Sequence, residues 1–241
     1  MDHLGRGCGV LSYSGGMTSS LLRGVVAVAA LALLTACSGS DDSSDGATST
    51  ASPSPAASTA PAEDSVACTF LTGEERSLLA GNAVDTVAAS SPFKDGSGQC
   101  RWQASQALIQ VTTLPAKEWA KSLPEVVTQL ESSTDLKSDS DKADLARAKK
   151  LLAGAASFTD AEACKAFTTL AELGGEKKGA TTTVTTVPIT KTESGISAQT
   201  CTGGDLTSII YSVPGLTESK QVDKTLTTVL KSAQQRVVAA G

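Results

Sequence analysis

Between about residues 65 and 241 the chain runs twice through the same order of features, and that repetition constrains its fold more than any other property. Ala67-Cys68 has a counterpart in Ala163-Cys164, and Cys100 has one in Cys201. Residues 108–115 read LIQVTTLP after Cys100, and residues 207–214 read TSIIYSVP after Cys201. Both are β-branched runs closed by a proline, which cannot continue a hydrogen-bonded ladder. Each run leads into a helical stripe. Trp119, Leu123, Val126, Val127 and Leu130 share their offsets with Val222, Leu226, Val229, Leu230 and Ala233, the spacing of one apolar helix face. Pro124 predicts a kink or restart in the first stripe, with Ser122 as a cap.

The remaining signals fall into the same two halves, about 65–138 and 155–241. A helix opens each. Thr72 and Glu75 stand at capping-box spacing, as do Thr159 and Glu162. Gly81 and the pair Gly174-Gly175 supply the stops. Strands are expected at residues 83–90 and 181–192, the second on a sheet edge because it holds Pro188. Turns at residues 94–98 and 193–195 lead to the Cys100 and Cys201 strands, and Thr202-Gly203-Gly204-Asp205 is a hairpin signal. A linking helix is expected at residues 144–153, with Leu145, Ala148, Leu151 and Leu152 on one face. The expected fold is α+β: an antiparallel sheet covered by helices on one side. It is built from two duplicated helix–three-strand–helix halves, preferably joined in one continuous sheet.

Upstream lies an export signal, residues 1–36. Arg23 precedes VVAVAALALL at residues 25–34, and Leu34-Thr35-Ala36-Cys37 follows at once. A positive start, a short apolar stretch and small residues before a cut make a secretory leader. The apolar run spans about 15 Å as a helix, against the roughly 30 Å of a bilayer core, so it is too short for a membrane anchor. Met17 offers a second start that leaves a compact leader and removes Cys8 and His3. Residues 38–64 hold Ser, Thr, Ala, Pro, Gly and acids with no large apolar side chain. Such a stretch cannot offset its ordering entropy, and reads as a spacer of about 30 Å end to end.

The four-residue sequence ending at Cys37 resembles the bacterial lipobox. The resemblance implies cleavage before Cys37 and diacylglycerol on its thiol. The domain would then be anchored to the outer face of the cytoplasmic membrane without spanning it, acyl chains contributing about 0.8 kcal/mol per buried CH₂. In that oxidising setting Cys68, Cys100, Cys164 and Cys201 read as two disulfides, with three pairings open on number alone. The repetition selects Cys68 with Cys100 and Cys164 with Cys201, one bridge per half.

Composition narrows the chemistry. The formal net charge is −5 and no basic cluster appears, so nucleic acid is a poor partner. The one histidine is His3, in the leader, so the mature chain lacks the base of Ser-His-Asp and Cys-His systems and the commonest metal ligand. Oxidised cysteines serve neither as thiolates nor as zinc ligands. No phosphate loop, dinucleotide fingerprint or nucleophile elbow is present. No cofactor is expected. Asp139, Asp141 and Asp144 invite a calcium reading, but the loop glycine and closing glutamate of an EF-hand are missing. Asp139 and Asp141 suit a helix N-terminus, as do Glu74 and Glu75. Trp102, two residues from Cys100, shares its strand face and reads as packing on the disulfide, a ligand-stacking role being the alternative. Trp119 reads as core, and Lys177-Lys178-Gly179 as a solvated turn.

Ala67-Cys68-Thr69-Phe70-Leu71-Thr72 and Cys100-Arg101-Trp102, behind a lipobox and an Ala/Ser/Thr/Pro linker, resemble the actinobacterial lipoproteins grouped as domain of unknown function 3558. The likeness covers the first half of the exported domain; Cys201-Thr202-Gly203 departs from the Cys-x-Trp pattern. It implies location and no catalytic residues. The sequence therefore points to a non-enzymatic module that binds an envelope protein, glycan or lipid. The alternatives are a carrier of a lipid or other apolar ligand and a carboxylate-dependent envelope hydrolase.

Overall fold

In a computed structural model, residues 65–132, 138–190 and 192–241 are described; the expected export signal, Cys37 and the expected spacer lie outside them. The chain enters through a 3₁₀ turn, Val66–Thr69, and helix α1, Gly73–Ala80. Strands β1 (Val87–Lys94), β2 (Ser97–Gln103) and β3 (Leu108–Pro115) follow, then helices α2 (Ala116–Glu131) and α3 (Asp139–Leu151). A second 3₁₀ segment, Leu152–Ser157, leads to α4 (Asp160–Leu173), strands β4 (Thr182–Pro188), β5 (Ser194–Thr202) and β6 (Asp205–Ser212), and α5 (Lys220–Ala240).

Local chemistry sets these boundaries. Thr72 and Thr159 form reciprocal capping boxes with Glu75 and Glu162, and Ser138 forms a third with Asp141. Gly81 closes α1 at φ 75°, a left-handed conformation that glycine adopts without strain. The linking helix begins at Asp139, earlier than its apolar spacing suggests, because the Ser138 cap starts it. Pro124 does not restart α2, which runs unbroken from Ala116 to Glu131. Ser122 bonds back to the Trp119 carbonyl at 2.7 Å instead of capping.

All six strands form one antiparallel sheet in the order β1-β2-β3-β6-β5-β4. The Pro188 strand is on an edge, as its proline requires. Side chains alternate between faces, and the register sorts them. Cys100, Trp102, Ile109, Val111, Ile196, Ala198, Ile209 and Tyr211 share one face, where they pack with α5, α1 and the first 3₁₀ turn. Leu114, Leu206 and Cys201 point to the other, where α2, α3 and α4 bury Trp119, Leu123, Phe167 and Leu170 against them. Helices thus cover both faces, which corrects the one-sided expectation.

The two disulfides, Cys68–Cys100 and Cys164–Cys201, consequently sit on opposite faces. The first fastens the entering chain to β2, and the second fastens α4 to β5. Arg236, near the end of α5, closes the structure against α1. Its guanidinium donates to both Glu75 carboxylate oxygens, each at 2.8 Å, and to the Phe70 carbonyl at 2.7 Å. Burial pushes the Glu75 carboxyl up, but hydrogen bonds from Arg236 and Thr72 and the Arg236 charge outweigh it and hold the group below its ordinary value. A depressed native value means that its contribution is present above about pH 4.3 and is lost as pH falls through the native value. Arg236→Ala is expected to cost about 1 kcal/mol at neutral pH, the scale of a partly exposed bidentate pair. The difference from wild type shrinks in acid; urea titrations at pH 7 and pH 3 read both.

Candidate functional site

On the α5 side of the sheet, at the β4 end, lies a half-open groove of about 400 Å³. Its floor is the β4–β5 pair: Thr186 and Ile196 stand opposite each other, beside Gly195 and Ser194. Its wall is the segment that turns into α5, Leu216, Thr217 and Glu218. That wall is positioned from both ends. Leu216 N–H bonds to the Val213 carbonyl around Gly215, which takes φ 72°, and Ser219 caps α5 by accepting from Val222 N–H. Gly195 has no room for a side chain, since a Cβ would meet the Tyr211 carbonyl at 2.7 Å.

Three ionisable groups are electrostatically linked next to the groove, of which Glu218 alone lines it. Glu218 accepts a hydrogen bond from Thr186 Oγ1 at 2.8 Å, which ties the wall to the floor. Asp223, in the first turn of α5, has its carboxyl pushed up by burial and by the Glu218 charge. Tyr211 has its phenol pushed up by burial and by Asp223. A helix N-terminus ordinarily favours a carboxylate; here desolvation and a like charge prevail. Asp223 Oδ1 is buried without a partner, consistent with that direction.

The raised native value fixes a sign. The stabilising protonated form prevails below about pH 3.9, and its contribution is lost as pH rises through the native value. Asp223→Asn is therefore expected to stabilise the protein at pH 7 by up to about 1 kcal/mol and to have no stabilising effect below pH 3.9. Thermal melts across that range measure the difference.

The other residues singled out by sequence occupy structural positions. Trp102 packs in the cluster with Cys68 and Cys100, 2 % exposed, and Arg76 lies 4.7 Å from its ring centre. Arg76 also bonds to the Val84 and Leu71 carbonyls and to Asp85. Trp119 is fully buried against Phe167. Asp141 serves its capping box, and Asp139 and Asp144 pair with Lys142 and Arg147. No group of three potential metal ligands occurs among the described residues. Glu75 is spent on Arg236. In the Lys177–Gly179 turn, Gly179 N–H donates to Glu172.

Sequence reasoning missed Glu218 and Asp223. The available signal was two acids straddling the Ser219 cap; the strands that complete the site lie far away in sequence. Comparison with family models, curated proteins and solved structures gives no match.

Proposed function

We propose that this chain is an exported lipoprotein, held to the outer face of the cytoplasmic membrane through diacylglycerol on Cys37, and that its folded domain is a non-catalytic binding module. The observation that carries the binding role is the groove beside β4. It combines the apolar side chains of Ile196 and Leu216 with Thr186, Ser194 and Glu218 as polar fixtures, a mixture found in small-molecule sites. The lipobox and the spacer support the anchoring. The likeness to the domain of unknown function 3558 lipoproteins supports the same location. The repeated order of helix, three strands and helix supports descent from one duplicated unit.

Cys37→Ser is expected to abolish acyl labelling of the chain, read by metabolic incorporation of a tagged fatty acid; undiminished labelling would refute the anchor. For the binding role, the detergent-solubilised full chain is exposed to envelope extract and analysed by native mass spectrometry. Wild type should retain a ligand that Thr186→Val and Glu218→Gln weaken. A bare protein under all conditions would remove the reading.

Glu218 and Asp223 favour one other reading, a carboxylate-dependent hydrolase in which Asp223 supplies a proton and Glu218 acts as the base. It requires turnover of an envelope glycan with an acidic pH optimum, lost in both Glu218→Gln and Asp223→Asn. Binding without turnover decides against it.

A further inference from the structure

The two edges of the sheet are built differently. On one side β1 is blunted: its ladder slips between Val87 and Ala89 and again between Ser91 and Lys94. It also carries Pro92 and Lys94, and Ser65 Oγ donates to the Ser91 carbonyl at 2.7 Å. Bulges, proline, lysine and a covering segment all keep an edge from pairing with a foreign strand. On the other side β4 has no bulge, no lysine and no proline before Pro188. It pairs with β5 without a break from Thr182 to Pro188, and up to that proline it reads TTVTTV, with no charged side chain. Such β-branched residues favour a pleated ladder. No strand lies beyond it among the described residues.

The open side of β4 has a definite phase. Cys201 N–H bonds to the Thr181 carbonyl at 3.2 Å, so Thr181 turns its peptide groups toward β5. Antiparallel ladders alternate residue by residue. Thr183, Thr185 and Val187 therefore also bond inward, and Thr182, Val184 and Thr186 direct N–H and C=O to the edge. Pro188 is next in that outward series, where its missing N–H costs the ladder nothing. Residues 182–186 read TTVTT, the same in both directions. Turned about a two-fold axis at Val184, the strand meets itself with Thr182 on Thr186, Thr183 on Thr185 and Val184 on Val184. Every outward donor then faces an outward acceptor. An isologous contact requires this self-complementarity. Like charges placed opposite each other would oppose it, and the strand has none. The palindrome makes a second copy the occupant that this edge fits best.

We propose that β4 is a dimer interface: two copies pair antiparallel through residues 182–186, Val184 on Val184, and their sheets become continuous. Directly opposed residues share a face of the sheet. Both grooves therefore open on the same side, and Thr182 of the second copy stands beside Thr186 at the edge of the groove. The inference goes beyond the binding-module reading and does not depend on it, since the strands pair whether or not the groove takes a ligand.

Cysteine substitution in the purified, detergent-solubilised full chain tests both the contact and its register. Opposed hydrogen-bonded residues lie about 5.5 Å apart at Cα, inside the roughly 4.4–6.8 Å that a disulfide spans. Val184→Cys should therefore give a disulfide-linked dimer on mild oxidation. Thr182→Cys should not link to itself, because it faces Thr186 and its own counterpart lies about 13 Å away. Mixed Thr182→Cys and Thr186→Cys chains should link. Val184→Pro removes only an outward N–H, so it keeps β4 on β5 and should weaken dimerisation in sedimentation equilibrium about tenfold or more. The cysteine variants report even if Val184→Pro folds poorly. Equal linking of Val184→Cys and Thr182→Cys overturns the proposal, because it marks chance collision within a micelle. A wild-type chain that stays monomeric across a concentration series also overturns it, whether another segment of this chain, a different envelope protein or water covers the edge. A monomer that still retains an envelope ligand leaves the proposed function standing, and a dimer whose groove takes none removes that function alone.

Discussion

Replacing Cys164 and Cys201 together by serine is expected to lower the stability of the protein by about 3–4 kcal/mol, the loop-closure value for a bridge of this span. The bridge closes 37 positions and holds α4 on the sheet. Cys201 is 3 % exposed and packs with Leu206, Phe167 and Leu170. Its loss therefore frees the unfolded chain and also loosens the lid over that cluster. The matching replacement of Cys68 and Cys100, a bridge over 32 positions, should cost a similar amount. The two bridges share no packing cluster and lie on opposite faces of the sheet. Their losses should add to within about 0.5 kcal/mol, as urea midpoints of the two pairs and the combined variant would show. A loss below about 1 kcal/mol for either pair would mean that packing alone holds that face.

Trp119→Ala is expected to cost about 3–5 kcal/mol, the range for deleting a large aromatic from a filled core. Trp119 is 0 % exposed, and its ring centre lies 5.6 Å from that of Phe167. Around it α2, α3, α4 and the second 3₁₀ segment meet in one cluster, so a cavity there cannot collapse by moving one neighbour. Trp119→Phe should cost far less than Trp119→Ala. The indole Nε1 is buried and has no hydrogen-bond partner, so phenylalanine keeps most of the apolar contact and deletes an unpaired donor. Chemical denaturation of both variants separates volume from polarity. Equal losses would show that the site needs the full indole shape.

Much of this architecture was legible because it is written locally. The capping boxes at Thr72 and Thr159, the glycine stop at Gly81, and the edge position of the Pro188 strand all follow from a few adjacent residues. The disulfide pairing followed from reading the chain as two repeated halves with one bridge each. The side of the sheet on which each bridge sits did not. Cys100 stands opposite Val111 and Cys201 opposite Leu206. These positions differ in register between the two hairpins, and a shift by an odd number of residues carries a side chain to the other face. Parallel lettering along the chain therefore concealed opposite placement in space. The groove was hidden for a different reason. Thr186, Gly195 and Glu218 come from three separate segments, and each looks ordinary where it stands. The burial of Ser197 and Gln199 was likewise invisible, because a Ser/Gln-bearing strand reads as solvated until its neighbours are known to bury it.

The placement of Cys68 also has a mechanical meaning. Tension arriving along the backbone at Ser65 travels three residues before it meets a covalent link into β2, a strand flanked on both sides by others. Load is handed to the sheet interior and is not taken by an outermost ribbon that could unzip one bond at a time. A protein pulled from its amino-terminal end would thus resist as a block, and cutting the sulfur bridge would convert that same pull into gradual peeling.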